Sequence, residues 1–372
     1  MKTNLKFFLL LALAVISVNS FSQNNKNPKI QVALLLDTSN SMDGLIDQAK
    51  TELWSVVNEL ALAKTAGEQA ILEIALYEYG NDNLTSENGF IRKVLDLTTD
   101  LDKISEALFA LKTNGGYEYC GHVIDKASKE LKWSTSDKDL KLIFIAGNEE
   151  FTQGNVDYKI SCKDAISKGI IVNTIFCGNN DEGINTFWKD GADIADGKYL
   201  NIDQNQVVAY ISTPFDTQIS DLNSKLNQTY VAYGEIGNDM KTRQETQDEN
   251  ARGQSSYTSV NRTISKSSGV YVNSSWDLVD ATDKGKKISD IKDDELPEEM
   301  KKMNDSEKEV YLKEKKEDRV KIQNEISDLN KKRLEYIEEQ NKLNSESNTL
   351  GVAMINVVHE QAVKVGFTFP KK

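Results

Sequence analysis

The chain has 372 residues, 39% of them hydrophobic and 28% charged, and a net charge of −13. That composition fits a soluble globular protein with room for two domains. The acidic balance excludes a nucleic-acid binder, which needs a clustered basic face. Two His in the whole chain leave no material for a histidine-rich metal centre or a His-based triad.

The first residues read as an export signal. Lys2 and Lys6 precede an apolar run over 7–18 broken only by Ser17, and Ser20 and Ser22 offer small residues for cleavage. Residues 1–22 are therefore predicted to be a removable signal peptide. The run is about a dozen residues, short of the ~20 that a spanning helix needs, and no other segment is apolar enough to span. The expected location is periplasmic or extracellular, with no transmembrane segment after cleavage.

Residues 29–36 are apolar on both faces, as a central parallel strand should be. The run ends in Asp37-Thr38-Ser39-Asn40-Ser41. One carboxylate and two hydroxyls in a single turn are hard oxygen donors suited to Mg²⁺ or Mn²⁺. The same three residues are also suited to cap the next helix and hold the turn.

That helix is predicted over 43–64, where Leu45, Ala49, Leu53, Val56, Val57 and Leu60 recur at helical spacing. A strand over 70–79 and an antiparallel partner over 90–97 flank the turn residues 80–83. A short helix over 101–111 is entered through Thr99 and Asp100 as caps. A glycine-bearing loop, 114–118, precedes a helix over 120–133. Residues 140–146 form the most apolar strand, and loop 147–150 lies at its end. A helix over 158–168, a strand over 170–177, a helix over 187–195 and a last strand near 198–202 follow. Strands alternating with helices predict an α/β fold, a doubly wound and mostly parallel sheet with one antiparallel strand, over residues 29–212.

Residues 213–372 read as a mainly helical extension. Ile211, Phe215, Ile219, Leu222, Leu226 and Tyr230 mark one long amphipathic helix. Residues 235–256 carry almost no apolar side chain and read as a solvated helix or a loop. Residues 269–279 hold enough apolar side chains to dock on something. From 305 to 345 the chain is dense in Lys and Glu and partly coiled-coil-like, but Arg319, Arg333 and Gln340 interrupt the seam. A helix lying along another helix of the same chain fits that pattern better. A more apolar helix follows over 350–365, and residues 367–369 are placed to tack the terminus down.

Cys120, Cys162 and Cys177 are an odd count in an exported chain, which points to one disulfide and one free thiol. Cys162 lies in the first turn of the helix leading to the strand that ends at Cys177, so these two are the expected pair, with Cys120 as competitor. Cys120 and His122 are two apart on a helix and do not share a face, so His122 does not activate the thiol. His359 sits in the apolar C-terminal helix as a packing residue.

The D-x-S-x-S run after the first buried strand, with five further strand candidates in a suitable order, resembles the metal-ion-dependent adhesion site of von Willebrand factor type A (vWA) domains. The resemblance covers residues 29–212 and implies a Rossmann-like fold. In that family the two serines hold the metal, the Asp acts through water, and a Thr and an Asp from two further loops complete the set. Here Tyr117 stands where Thr is usual, and Asn148 where Asp is usual. A Tyr hydroxyl lies too far out to mimic Thr, and Asn keeps a carbonyl oxygen without its charge. Glu118, Glu149 and Glu150 are close enough in sequence to supply that charge.

The resemblance thus implies a Mg²⁺ or Mn²⁺ site of Asp37, Ser39, Ser41, Asn148 and Glu118, with Tyr117, Tyr119 and Glu149 meeting a partner. The expected function is a non-enzymatic exported binding module that engages a protein or cell-surface ligand at the loop end of its sheet. The alternative is an envelope scaffold acting through its helical extension, with an inert adhesion-site loop.

Overall fold

The computed structural model describes residues 27–206, 208, 210–341 and 349–370; the predicted signal peptide lies outside them. Strand β1 (Lys29–Asp37) is central in a six-stranded sheet. It pairs in parallel with β4 (Ile71–Tyr79) on one side and β6 (Leu140–Gly147) on the other. β7 (Ile171–Cys177) and β8 (Tyr199–Ile202) continue the parallel order, and β5 (Ile91–Thr98) closes the far edge antiparallel to β4. A two-stranded ribbon, β2 (Lys64–Thr65) and β3 (Glu68–Gln69), lies apart from the sheet.

The strands are apolar on both faces because both are covered. Ile30, Val32, Leu34 and Leu36 of β1 join one core with α1 (Asp43–Leu60) and α2 (Leu101–Ala110). Ala33 and Leu35 join the opposite core with α3 (Cys120–Glu130), α4 (Tyr158–Ser167) and α6 (Trp188–Ile194). A short helix, α5 (Asn180–Asn185), precedes α6.

The expected disulfide is not formed: all three cysteines are free and buried. Side chains on a strand alternate between faces. Cys177 follows Ile175 into the first core, whereas Cys162 sits with α4 in the second. The sheet itself separates the two thiols, a distinction that helix-to-strand adjacency in sequence does not carry.

The chain leaves β8 and builds a helical layer over α1. Its helices are α7 (Asp216–Asn227), α8 (Gly237–Gln254), α9 (Ser256–Ser267), α10 (Leu278–Asp283) and the 37-residue α11 (Asp305–Asn341). The segment read as solvated helix or loop is helical, and α9, which no apolar pattern announced, packs on α1, α7, α8 and α11. Both helices are held by charge. Arg262 and Lys266 of α9 are 1% and 0% exposed. Arg262 Nε meets Asp248 of α8 at 2.5 Å and its Nη1 meets Asp102 of α2 at 2.8 Å. Its guanidinium also lies 4.7 Å from the Trp54 ring. The Lys266 ammonium takes Asp248 at 2.9 Å and Asn223 at 2.9 Å. A buried charge persists only when paired and hydrogen-bonded, and each of these is.

The C-terminal helix α12 (Leu350–Lys364) returns to lie against α1, β6 and β8. Its first turn docks on α1: Gln48 Oε1 accepts from Leu350 N at 3.0 Å, and the Glu52 carboxylate accepts from Thr349 Oγ1 at 2.6 Å and from Gly351 N. Further along, Gln361 and Asn173 of β7 exchange two amide hydrogen bonds, 2.7 and 3.0 Å long, inside the core. Thr368 then pairs with Lys64 of β2. The last helix of the chain therefore completes the cover of one sheet face, and the sheet and its extension share one core.

Candidate metal and ligand-binding site

β1 delivers Asp37 to the carboxyl end of the sheet, where open α/β folds bind ligands. Asp37 Oδ1 accepts from Ser39 N at 2.7 Å, which closes the turn. The Ser39 and Ser41 hydroxyls are 3.2 Å apart, and Asn148 Nδ2 donates to Ser41 Oγ at 3.1 Å. Neither Ser39 nor any other side chain caps the short 3₁₀ turn at Asn40–Met42. The turn does not use these hydroxyls as caps.

Glu118 turns inward beside Asp37. It is 2% exposed, while its neighbour Tyr117 is 63% exposed. Gly80, at φ +78°, leaves the space: a Cβ there would stand 2.7 Å from Asp37 Oδ1 and 2.8 Å from Glu118 Cγ. Burial pushes the Asp37 carboxyl well above its ordinary range, and Glu118 beside it adds to the rise. Burial raises Glu118 as well, against hydrogen bonding from Asp37, Ser39 and the Glu149 backbone. One oxygen of each, Asp37 Oδ2 and Glu118 Oε2, is buried without a hydrogen-bond partner.

Buried polar oxygens are seldom left unpaired. Two such oxygens on neighbouring buried carboxyls, with hydroxyl and amide oxygens close by, have the chemistry of a hard-cation site. The residues present therefore fit a divalent ion. Asp37, Ser39, Ser41, Glu118 and Asn148 are all brought together. Among the described residues, no group of three or more His, Cys, Asp and Glu is gathered for a metal; the donor set here depends on hydroxyls and an amide.

Residues outside the expected set hold the loops in place. Asn81 is buried and donates to Thr38 O at 3.3 Å and Lys112 O at 2.9 Å, while its Oδ1 accepts from Asn83 N. It ties three loops together, although in sequence it is an ordinary turn residue. Gln153 Oε1 accepts from Glu118 N at 3.1 Å and its Nε2 donates to Glu149 Oε2 at 3.3 Å. Fully buried Trp188 donates to Glu149 O at 2.7 Å. No local pattern in the sequence announces any of the three.

Tyr117 and Tyr119 do not contribute inward oxygens. They form a ring cluster with Phe90 at centroid distances of 5.8 to 6.1 Å. Glu149 and Glu150 are exposed at the rim. Cys120 is fully buried, its thiol 3.9 Å from the Tyr79 hydroxyl, and burial pushes it well above the ordinary thiol range. His122 lies instead against Gly89. A buried thiol with a raised pKa is a poor nucleophile.

Residues 31–190 match the family model of the von Willebrand factor type A domain. Among solved structures, the chain is similar to BatB from Bacteroides thetaiotaomicron at 17% identity and a TM-score of 0.36, over 47% of this chain and 90% of that one. It is similar to the SpRpn10 VWA domain at 16% identity and a TM-score of 0.37, over 48% and 91%. A third is an aerotolerance-related membrane protein from Bacteroides fragilis, at 16% identity and a TM-score of 0.33, over 47% and 92%. No curated protein matched the chain.

Proposed function

The chain carries a von Willebrand factor type A domain over residues 31–190, and from that premise we propose that it is a non-enzymatic, exported binding module. Its loop end engages a protein or cell-surface ligand, with Mg²⁺ or Mn²⁺ held by Asp37, Ser39, Ser41, Asn148 and Glu118. The observation that carries this reading is the pair of buried, unpartnered carboxyl oxygens on Asp37 and Glu118. A bound cation would neutralise both and offer a Lewis-acidic point of contact for a ligand oxygen. Tyr117 and Tyr119 supply rigid contact area beside it. Export rests on the charged and apolar start of the chain; among the described residues no helix is long and apolar enough to cross a membrane.

Isothermal calorimetry with Mg²⁺ and Mn²⁺ tests the reading. The wild-type chain is expected to bind one ion, and the Asp37→Asn, Glu118→Gln chain to bind none. A silent wild type would overturn the cation part of the proposal.

A further inference from the structure

Six stretches surround the cation site at the carboxyl end of the sheet: 37–43, 80–90, 113–119, 148–157, 178–187 and 203–206. They contain eleven Asp and Glu and no Lys or Arg. At the chain-wide frequency of 45 Lys and Arg in 372 residues, about six would fall in stretches of this combined length. Of the cations that flank them, Arg92 pairs with Glu78, Lys189 pairs with Asp193 and Lys159 lies 3.7 Å from Asp190, while Lys112, next to Thr113, is exposed. Asp82, Glu87, Glu149, Glu150, Asp181 and Glu182 are all exposed. One divalent ion at Asp37 and Glu118 would leave this rim strongly negative, and an acidic partner face would be repelled from it.

The buried, unpartnered oxygens of Asp37 and Glu118 mark the centre of this end as a place for positive charge. Tyr117 gives an independent indication of how a cation would be seated beside it. Its ring is 63% exposed and backed by Phe90 and Tyr119. Tyr119 in turn fills the space over Gly154, where a Cβ would come within 2.7 Å of its ring.

The interior of the molecule holds the same arrangement twice, each time with its cation in place. Arg262 lies over Trp54 at 4.7 Å and pairs with Asp102 and Asp248. Arg319 lies over Tyr230 at 4.0 Å and pairs with Asp277 and Asp280. The loop end presents an exposed aromatic face, Tyr117, on the same end of the sheet as the exposed carboxylates of the rim.

We propose that the loop end docks a basic polypeptide segment of its partner, with an Arg or Lys side chain laid on the Tyr117 ring between the rim carboxylates. Arg suits the place best, because its guanidinium stacks on an aromatic face while its N–H groups reach carboxylates. The inference rests on the reading of the loop end as the partner face, but not on a metal being bound there.

Random peptides displayed on phage and selected on the full chain test it, once with Mg²⁺ and once with chelator. The selected pools should be enriched in Arg and Lys. The recovered peptides should bind the Tyr117→Ser chain, and separately the Glu149→Gln, Glu150→Gln chain, about tenfold more weakly, and should weaken as salt rises. All three side chains are exposed, so both variants should melt with the wild type. Pools enriched in Asp and Glu, pools without charge preference, or binding that ignores Tyr117→Ser would each overturn the proposal. Basic pools from a chain that gives no calorimetric Mg²⁺ signal would leave it standing and overturn the cation reading. Mg²⁺ binding with acidic pools would do the reverse.

Discussion

Asp37 at the end of β1 and Glu118 in the loop before α3 meet as a buried carboxyl pair, with Gly80 fitted against both. Their folded-state pKa values are raised from ordinary carboxylate values near 4. The folded chain therefore keeps protons that the unfolded chain has released. The stability this contributes is fully present below about pH 4 and is lost as pH rises through the raised values, at up to ~1.4 kcal/mol per pH unit for each proton.

In chelator, the melting temperature should thus fall as pH rises above the ordinary carboxylate range, and the Asp37→Asn, Glu118→Gln chain should show a flatter profile. Excess Mg²⁺ should stabilise more at the higher pH, where the pair is ready to ionise. A wild-type profile as flat as the variant's would show that the pair holds no extra proton.

Arg319 shows what the sequence revealed and what it concealed. The doubly wound sheet was readable because β1, β6 and β7 are apolar on both faces and end in turn residues. The position of Asp37 followed from that pattern, and so did the serines beside it. Glu118 was one of three acidic candidates, and only the geometry of Gly80 and Asp37 selects it. In the extension, periodicity misleads. Arg319 and Arg333 interrupt an apolar stripe as if they faced solvent, yet they are 4% and 3% exposed. Their partners Asp277 and Asp216 lie far away in sequence, so no local window contains the reason for their burial. Helix α9 was missed for the same reason: Arg262 and Lys266 are core residues only because Asp102 and Asp248 come to meet them.

Replacing Arg319 should therefore act like breaking a buried pair. Arg319 reaches Asp277 at 2.8 Å and Asp280 at 2.8 Å, and its Nη2 donates to Thr229 O at 2.7 Å. Arg319→Met leaves Asp277, which is 0% exposed, without its counter-charge. Urea unfolding should show a loss of about 3–5 kcal/mol. Arg319→Met with Asp277→Leu should recover part of it, because the stranded charge is gone. A single variant within about 0.5 kcal/mol of wild type, as an exposed substitution would be, contradicts the assignment.

The three thiols should be silent in the native state. Burial pushes Cys162 up to about 12 and Cys177 well above the ordinary thiol range, as it does Cys120. Thiol exchange requires an accessible thiolate, so a colorimetric thiol reagent should react with none of them at neutral pH and with all three in denaturant. Two of the three remaining unreactive in denaturant without reductant, with a linked peptide in a non-reducing map, would instead reveal a bridge.

Asn148 is the position at which the proposed cation site is short of charge. Its amide spans to Ser41, donating from Nδ2 at 3.1 Å, so the side chain already lies at the donor cluster. Hard-cation affinity follows the number of carboxylates, and Asn148→Asp adds one without changing the shape of the residue. In chelator the variant should be less stable than wild type, because a third carboxyl joins Asp37 and Glu118 with no counter-charge. With Mg²⁺ the order should reverse. An ion that binds only the folded state stabilises by RT ln(1 + [L]/Kd), so each tenfold gain in affinity adds about 1.4 kcal/mol once the site is saturated. Melting curves at millimolar Mg²⁺ should accordingly shift further for Asn148→Asp than for wild type, and Asp37→Ala should abolish the shift in both backgrounds. If Asn148→Asp destabilises the chain equally with and without Mg²⁺, Asn148 lies outside the cation's reach. The buried pair would then need another counter-charge, and a basic side chain of the partner is the one the rim is built to attract.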